Sequence, residues 1–321
     1  MSHISIGTTR FLSIENPAYI NQINKIGKLI KGSGRPYNLE LKELDASRIA
    51  GLNNLAIPPD TFSLHLQYKG TNRSHSAATL NLVNREDVRS LTDISSPVFK
   101  IFNYLGAGKI SAISVHAGFS SLYIGTTGKD DHNYAIGGRS LNKEKTLSSV
   151  ANALERILKS YERFYKGTIS IENLDYNSGG AYEWTWEPAN FYSLLENKKV
   201  TAVYDIGHAI VTSHRRDPKR KGFSAQSFAL GLISRPGKLR EIHINAPAFE
   251  NGHWYDSHLP FYTMPEAIDI LRSILRYRAL MKDQKPLLLN IEPSSIIAEK
   301  NPEEITSQVK CLIELVDRFV K

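Results

Sequence analysis

The sequence predicts an α/β chain forming a single (β/α)8 TIM barrel across residues 1–321, with reactive groups at the carboxyl ends of the strands. Three observations carry this. Short Ile/Val/Leu-rich segments alternate with longer amphipathic ones along the whole chain. There are eight of the short kind, with no low-complexity tract, strong linker or obvious repeat between them. Each of the last six ends in His, Asp or Glu.

The eight strand-like segments are HISIG (3–7), YNLELKEL (37–44), TFSLHL (61–66), KISAISVHA (109–117), GTISIENL (167–174), VTAVYDIG (200–207), LREIHIN (239–245) and KPLLLNIEP (285–293). They are short and apolar, as strands buried on both faces are. Between them, residues 147–165 space Val150, Leu154, Leu158 and Tyr161 along one helical face. Residues 264–280 do the same with Ile268, Leu271 and Ile274, and a last helix runs from about Glu303 to Val320. Pro265 and Pro302 fall where a first-turn proline is tolerated. The runner-up is a doubly wound open sheet. It lacks its glycine fingerprint, since GGRS (137–140) follows no predicted strand.

Composition narrows the function classes. At 41% hydrophobic and 22% charged, the chain has ample material for a core in water. No apolar run approaches the ~20 residues that span a bilayer, and the opening residues lack a secretory pattern, so the cytoplasm is the expected location. Cys311 is the only cysteine, which excludes an internal disulfide and a thiolate metal cage; in VKCLIELV it reads as a helix residue turned inward. A net charge of +8 and a pI near 9.3 suit an anionic substrate, DNA among them.

The strand ends, read in order, place His65, His116, Glu172, Asp205 with His208, His243 with Asp256 and His258, and Glu292 around one mouth. A lone His or Glu at such a place is usually an ordinary polar residue. Five imidazoles and four carboxylates together are not, because the acids repel one another and desolvation forces protons onto them. Divalent cations remove that cost. Nitrogen and oxygen donors without sulfur suit Zn first, with Mn or Fe as alternatives. Nine ligands exceed one ion's need, which implies two or three ions. His3, His75, His132, His214 and His253 read as solvated residues; of these, His253, within the loop expected over residues 243–258, lies nearest the set in sequence.

Two loops complete the expected mouth. SHRRDPKRKG (213–222) carries Arg215, Arg216, Lys219, Arg220 and Lys221, which can contact phosphates or simply remain solvated. Tyr176, Tyr182, Trp184 and Trp186 can stack on a base or sugar, or pack within their loop.

The ordered motifs SVHAGF, SIENL, YDIGHA, EIHIN followed by DSHLP, and LNIEP resemble the xylose isomerase-like TIM barrels, most closely those of the endonuclease IV type. The resemblance runs from about His65 to Glu292. It implies a first ion on His65, His116 and Glu172. It implies a second on Glu172, Asp205, His243 and Glu292, with Glu172 bridging, and a third on His208, Asp256 and His258. Sugar isomerases and epimerases of the superfamily keep the four-residue set with one ion and generally lack the Asp-x-His pair. The chain departs from the repair enzymes in three places: NLDYNSGGAYEWTWEP after Glu172, Gly207 where they tend to have cysteine, and its N-terminal strand and loop. The multinuclear non-haem iron oxidative enzymes that modify peptides show a similar ligand order.

The leading expectation is a metal-dependent phosphodiester hydrolase with Glu172 and Glu292 as catalytic carboxylates. The alternatives are a single-metal isomerase or epimerase, an iron-dependent peptide-modifying oxidase, and a metal-bound scaffold without catalysis.

Overall fold

In chain order, strand β1 (Ser2–Thr8) leads to helix α1 (Pro17–Gly32), strands β2 (Tyr37–Leu41) and β3 (Thr61–Leu66), helices α2 (Arg85–Thr92) and α3 (Pro97–Leu105), and β4 (Ile110–His116). A hairpin of β5 (Ser121–Thr126) and β6 (Tyr134–Ser140) follows, then α4 (Lys143–Tyr161), β7 (Ile169–Glu172), α5 (Pro188–Leu194) and β8 (Val200–Asp205). Next come α6 (Ile206–His214), α7 (Ala225–Ile233), β9 (Leu239–Ile244) and a second hairpin, β10 (Ala246–Glu250) with β11 (His253–Leu259). The chain ends with α8 (Pro265–Met281), β12 (Leu287–Ile291) and α9 (Glu303–Val320). This computed structural model describes residues 2–8, 17–42, 51–66, 80–106, 108–116, 121–126, 134–175, 188–214, 223–281, 285–294, 297 and 300–320.

Eight strands form a closed barrel in the order β1-β12-β9-β8-β7-β4-β3-β2, every neighbouring pair parallel. These are the eight expected from sequence, so the predicted (β/α)8 barrel is the observed fold. Strand alternation explains its two faces. Ile4, Leu39, Leu64, Val115, Ile171, Tyr204, Ile242 and Leu289 are at most 1% exposed, in the core shared with the helices. Burying each such aliphatic side chain contributes about 1.5–3 kcal/mol.

The opposite face, inside the barrel, is polar. Asn38 Nδ2 donates to Ser5 Oγ at 2.8 Å and to Ser63 Oγ at 2.9 Å across three strands. The strands are buried on both faces, as expected, but the inner face is mainly polar, with Ala112, Val203 and Leu288 as apolar members. The inner face holds groups that need partners, and it leads upward to the mouth.

Helix boundaries follow their caps. Asn142 accepts from Lys145 N at 2.9 Å and starts α4 four residues before the expected position, with Val150, Leu154, Leu158 and Tyr161 buried. Pro265 opens α8, which buries Leu271 and Ile274 and leaves Ile268 half-buried. Cys311 lies half-buried on α9.

Two expectations need correction. Residues 137–140 belong to strand β6, and the segment after His243, expected to be a loop, is the hairpin β10–β11. Its turn is Asn251-Gly252 with φ of 51° and 79°, a pairing whose twist matches antiparallel strands. Among the described residues, no helix is long and apolar enough to cross a membrane.

Candidate metal centre

The carboxyl ends of β3, β4, β7, β8 and β9, together with Glu292 just past β12, converge as expected. Parallel register sets this convergence: His116 lies beside Glu172, and Asp205 beside His243. His65, His116, Glu172, Asp205, His208, His243 and Glu292 are all buried. Asp256 and His258, on the hairpin, are more open, with side chains 14% and 25% exposed.

Glu172 stands at the centre, and its two oxygens face different neighbours. Oε2 lies 3.4 Å from both His65 Nε2 and His116 Nε2. Oε1 lies 3.2 Å from His243 Nδ1 and 3.5 Å from His208 Nδ1. His243 Nδ1 also sits 3.4 Å from Glu292 Oε1 and 3.8 Å from Asp205 Oδ2. On the outer side, Asp256 Oδ2 lies 3.0 Å from His208 Nε2 and 2.9 Å from His258 Nε2. Five overlapping donor groups result among the described residues: His65–His116–Glu172, Asp205–His243–Glu292 and His208–Asp256–His258, with Glu172–Asp205–His208 and Glu40–His65–His243 joining them.

Local structure holds these groups in place. Asp205 caps α6, accepting from His208 N at 2.7 Å, so the D-x-x-H spacing fixes the aspartate and the start of the helix together. Asn173, beside Glu172, clasps the Asp205 backbone through its amide, with contacts of 3.0 and 2.8 Å. Its carbonyl oxygen faces His208 Nδ1 at 2.9 Å, which leaves Nε2 for the cluster. Asn245 donates to Asp205 Oδ2 at 2.9 Å and to Glu292 Oε2 at 3.3 Å. A Cβ at Gly207 would collide with Asn245 Oδ1, which explains why this chain has glycine there. His65 Nδ1 is held by Ser114 Oγ at 2.9 Å.

The hairpin brings the last two residues. Alternation along β11 puts Asp256 and His258 on one face. His258 adopts a left-handed backbone with φ of 47°, a conformation that costs a side-chain-bearing residue about 1–2 kcal/mol. Ser294 N donates to its carbonyl at 3.1 Å, and its Nδ1 comes within 3.4 Å of Glu292 Oε2. A stacked ring pair, His214 on Trp254 at 4.5 Å, joins α6 to β11, with His214 also 2.6 Å from Glu266.

Some residues in the mouth were not expected from sequence. Glu40 at the end of β2 is fully buried and lies 3.3 Å from His243 Nε2. Lys42, just beyond β2, forms an ion pair with Glu292. Glu241 is fully buried two residues before His243. The signal was present: N-L-E-L-K (38–42) alternates, and its polar positions face the barrel interior.

The electrostatics are those of acids and imidazoles sharing few protons. Burial pushes the Glu172 carboxyl up, but His243, His65 and His116 overcome it and hold it well below its usual value. Burial likewise opposes ionisation of Asp256, yet His258 and His208 hold it well below the carboxylate range. Burial lowers His243 and His208, while their carboxylate neighbours raise both well above the ordinary histidine value. His65 goes the other way, dominated by burial. Burial raises Asp205, and pushes Glu241 up to about 7. Burial also acts against Glu40, but Lys42 and His243 bring it down to about 2.

These residues fit divalent ions. Two imidazole nitrogens, His65 Nε2 and His116 Nε2, face each other at 3.1 Å with a carboxylate oxygen beside both. Glu172 Oε2, Asp256 Oδ1 and His258 Nδ1 are buried without hydrogen-bond partners. A cation satisfies such atoms together, and a hydrogen bond satisfies only one pair.

Other expectations fall elsewhere. His253 is exposed near the hairpin tip and takes no part, and His3 is half-buried at the opposite end of the barrel. Arg215, Arg216, Lys219, Arg220, Lys221, Tyr176, Tyr182, Trp184, Trp186, His75 and His132 lie outside the described residues.

The sequence matches no protein-family model, and no curated protein is similar to it. Solved structures are similar along nearly the whole chain. A D-tagatose 3-epimerase-like protein shares 15% identity at a TM-score of 0.55, covering 99% of this chain and 100% of its own. Endonuclease IV from Thermus thermophilus shares 14% identity at a TM-score of 0.55, with 98% and 99% covered. The 3-keto-D-glucoside 4-epimerase from E. coli shares 12% at 0.51, with 98% and 99% covered. At these identities the likeness is one of fold, the closed (β/α)8 barrel.

Proposed function

We propose that this protein is a multinuclear metal-dependent hydrolase of phosphodiesters, with abasic-site DNA as the first substrate to test. The observation that carries the reading is Glu172. One of its oxygens belongs to the His65–His116 group and the other to the His243 group, and His208–Asp256–His258 adjoins both. A bridging carboxylate within nine converging donors serves two or three ions better than one.

Divalent ions held there supply Lewis-acid neutralisation of phosphoryl charge and acidify water enough to make it a nucleophile at neutral pH. The chain's own residues do the rest. Glu172 or Glu292 orients the nucleophile. Asp205, fixed by Asn173 and Asn245, keeps the centre rigid. His258 and Asp256, the most open members, form the rim that meets the substrate. Arg215, Arg216, Lys219 and Arg220 contribute phosphate contacts, and Tyr176 and Trp184 stack on a base or sugar.

The test begins with protein purified without chelator. Two or three bound ions, and nicking of an abasic duplex with Zn or Mn, support the reading. Failure to nick, with DNA binding indifferent to salt, ends it. A second reading is favoured by the completeness of Glu172, Asp205, His243 and Glu292 as a four-donor set: a sugar epimerase or isomerase with one ion, and Glu172 and Glu292 as acid and base. One ion per chain and turnover of a ketose identify it. Bound iron with oxygen-dependent turnover identifies the peptide-modifying oxidase instead.

A further inference from the structure

His243 lies between two groups of carboxylates. Its Nδ1 faces Glu172, Glu292 and Asp205. Its Nε2 points the other way, into the barrel, with Glu40 Oε1 at 3.3 Å and Glu241 Oε1 at 3.6 Å. All three side chains are 0% exposed. Beyond these contacts, neither His243 Nε2 nor either Glu241 oxygen has a hydrogen-bond partner.

Glu40 is itself held. Asn290 Nδ2 donates to its Oε2 at 2.7 Å, which turns Oε1 toward His243. The span is a long one, because β1 lies between β2 and β12 in the barrel. Gly7 on β1 stands opposite Glu40 in register and makes the crossing possible. A Cβ there would come within 3.1 Å of Glu40 Oε2. The result is a relay from Asn290 through Glu40 to His243.

The geometry points to Glu40 and Glu241 as positioning residues that accept the Nε2 proton of His243, so that Nδ1 presents its lone pair to an ion in the Asp205–His243–Glu292 position. An imidazole ligand whose far nitrogen donates to a carboxylate is fixed in tautomer and orientation and is a stronger base toward the metal. This inference rests on the metal-centre reading, though not on which reaction the centre performs. It concerns residues outside the nine expected donors.

The test is Zn2+ titration against a competing chelator, with wild type and the E40Q and E241Q variants. In E40Q the amide oxygen stays with Asn290, so the NH2 faces the His243 N–H, donor against donor. E40Q is expected to weaken the class of zinc held by His243 roughly 10–100-fold, the usual effect of losing such a partner, and the others less, although Glu40 Oε1 also lies 3.7 Å from His65 Nδ1. E241Q weakens the same class. Equal weakening of every class, or none, overturns the inference. A second measurement needs no variant: 15N spectroscopy of histidine in the zinc-loaded wild type. The Nε2–H tautomer with zinc on Nδ1 of His243 is expected, and the reverse tautomer overturns the proposal. Wild type that binds no zinc would instead remove the metal-centre reading itself.

Discussion

The inner and outer halves of the mouth are built in different ways. The inner donors, from His65 to Glu292, sit at strand ends whose relative positions are set by parallel register, and they are buried beneath the rim. The outer triad takes His208 from a helix and Asp256 and His258 from a hairpin added between β9 and α8. It is partly open to solvent, and His258 holds its place in a left-handed backbone. The lesson is that one donor chemistry is positioned by two mechanisms, strand register within the barrel and a docked hairpin above it.

The sharpest way to break the comparison is at the residue that joins the halves. Glu172→Gln should remove the link between the two halves and lower turnover in the proposed reaction by roughly 10²–10³-fold, the effect of losing one preorganised electrostatic group. Metal analysis should show the inner ions depleted and the outer one retained. A uniform loss of all ions would mean the two halves are one unit.

Lys42 tests the inner half alone. Its ion pair with Glu292 is buried, with side chains 7% and 1% exposed. Removing one partner of such a pair costs about 3–5 kcal/mol, and His243 and His258, which still face Glu292 at 3.4 Å, bring the expected loss toward the lower figure. Lys42→Met should therefore destabilise ion-free protein by about that much in chemical denaturation. Added zinc should recover most of the loss, since a cation replaces the ammonium beside Glu292.

Acidity separates the charged states of both halves. Glu172 and Asp256 are held low, so their stabilisation of ion-free protein is complete above their ordinary values of 4.5 and 3.8 and fades as pH falls through the lowered ones. His208 and His243 are held high, so their contribution is complete below 6.5 and fades as pH rises through the raised values. Ion uptake runs opposite to this upper limb: it strengthens with pH and releases protons, because the imidazoles must first lose theirs. Melts of chelated and zinc-loaded protein across pH should diverge on the alkaline side, and a weakly buffered zinc titration should acidify.

The smallest effect belongs to the hairpin turn. Gly252 has φ of 79°, where a β-branched residue is strained by about 1–2 kcal/mol. Gly252→Val should weaken the outer ion several-fold in competition assays and leave inner occupancy unchanged.

Much of this was legible in the sequence. All eight barrel strands appear as short apolar runs, because core packing against helices demands Ile, Val and Leu on the outer face. The nine convergent side chains could be collected because strand ends share one end of a barrel. Glu40, Lys42 and Glu241 escaped because alternation normally marks a strand with one wet face. Here the polar face of 38–42 lines the interior and contacts Ser5, Asn290 and Glu292 across the barrel. The hairpin had a local signal in Asn251-Gly252, but its pairing partners lie in a segment with too little apolar alternation to read as strands. Asn173 and Asn245 could not be read at all, since their roles depend on contacts with the neighbouring strand.

The stacked rings of His214 and Trp254 have a consequence for the outer half. His214 closes the helix whose first turn holds His208, and Trp254 precedes Asp256 by two residues along β11. Helix and ribbon are thus pinned at two points, like the legs of a compass locked at a set span. The gap an incoming cation must fill is preset before it arrives, so little ordering remains to oppose its capture.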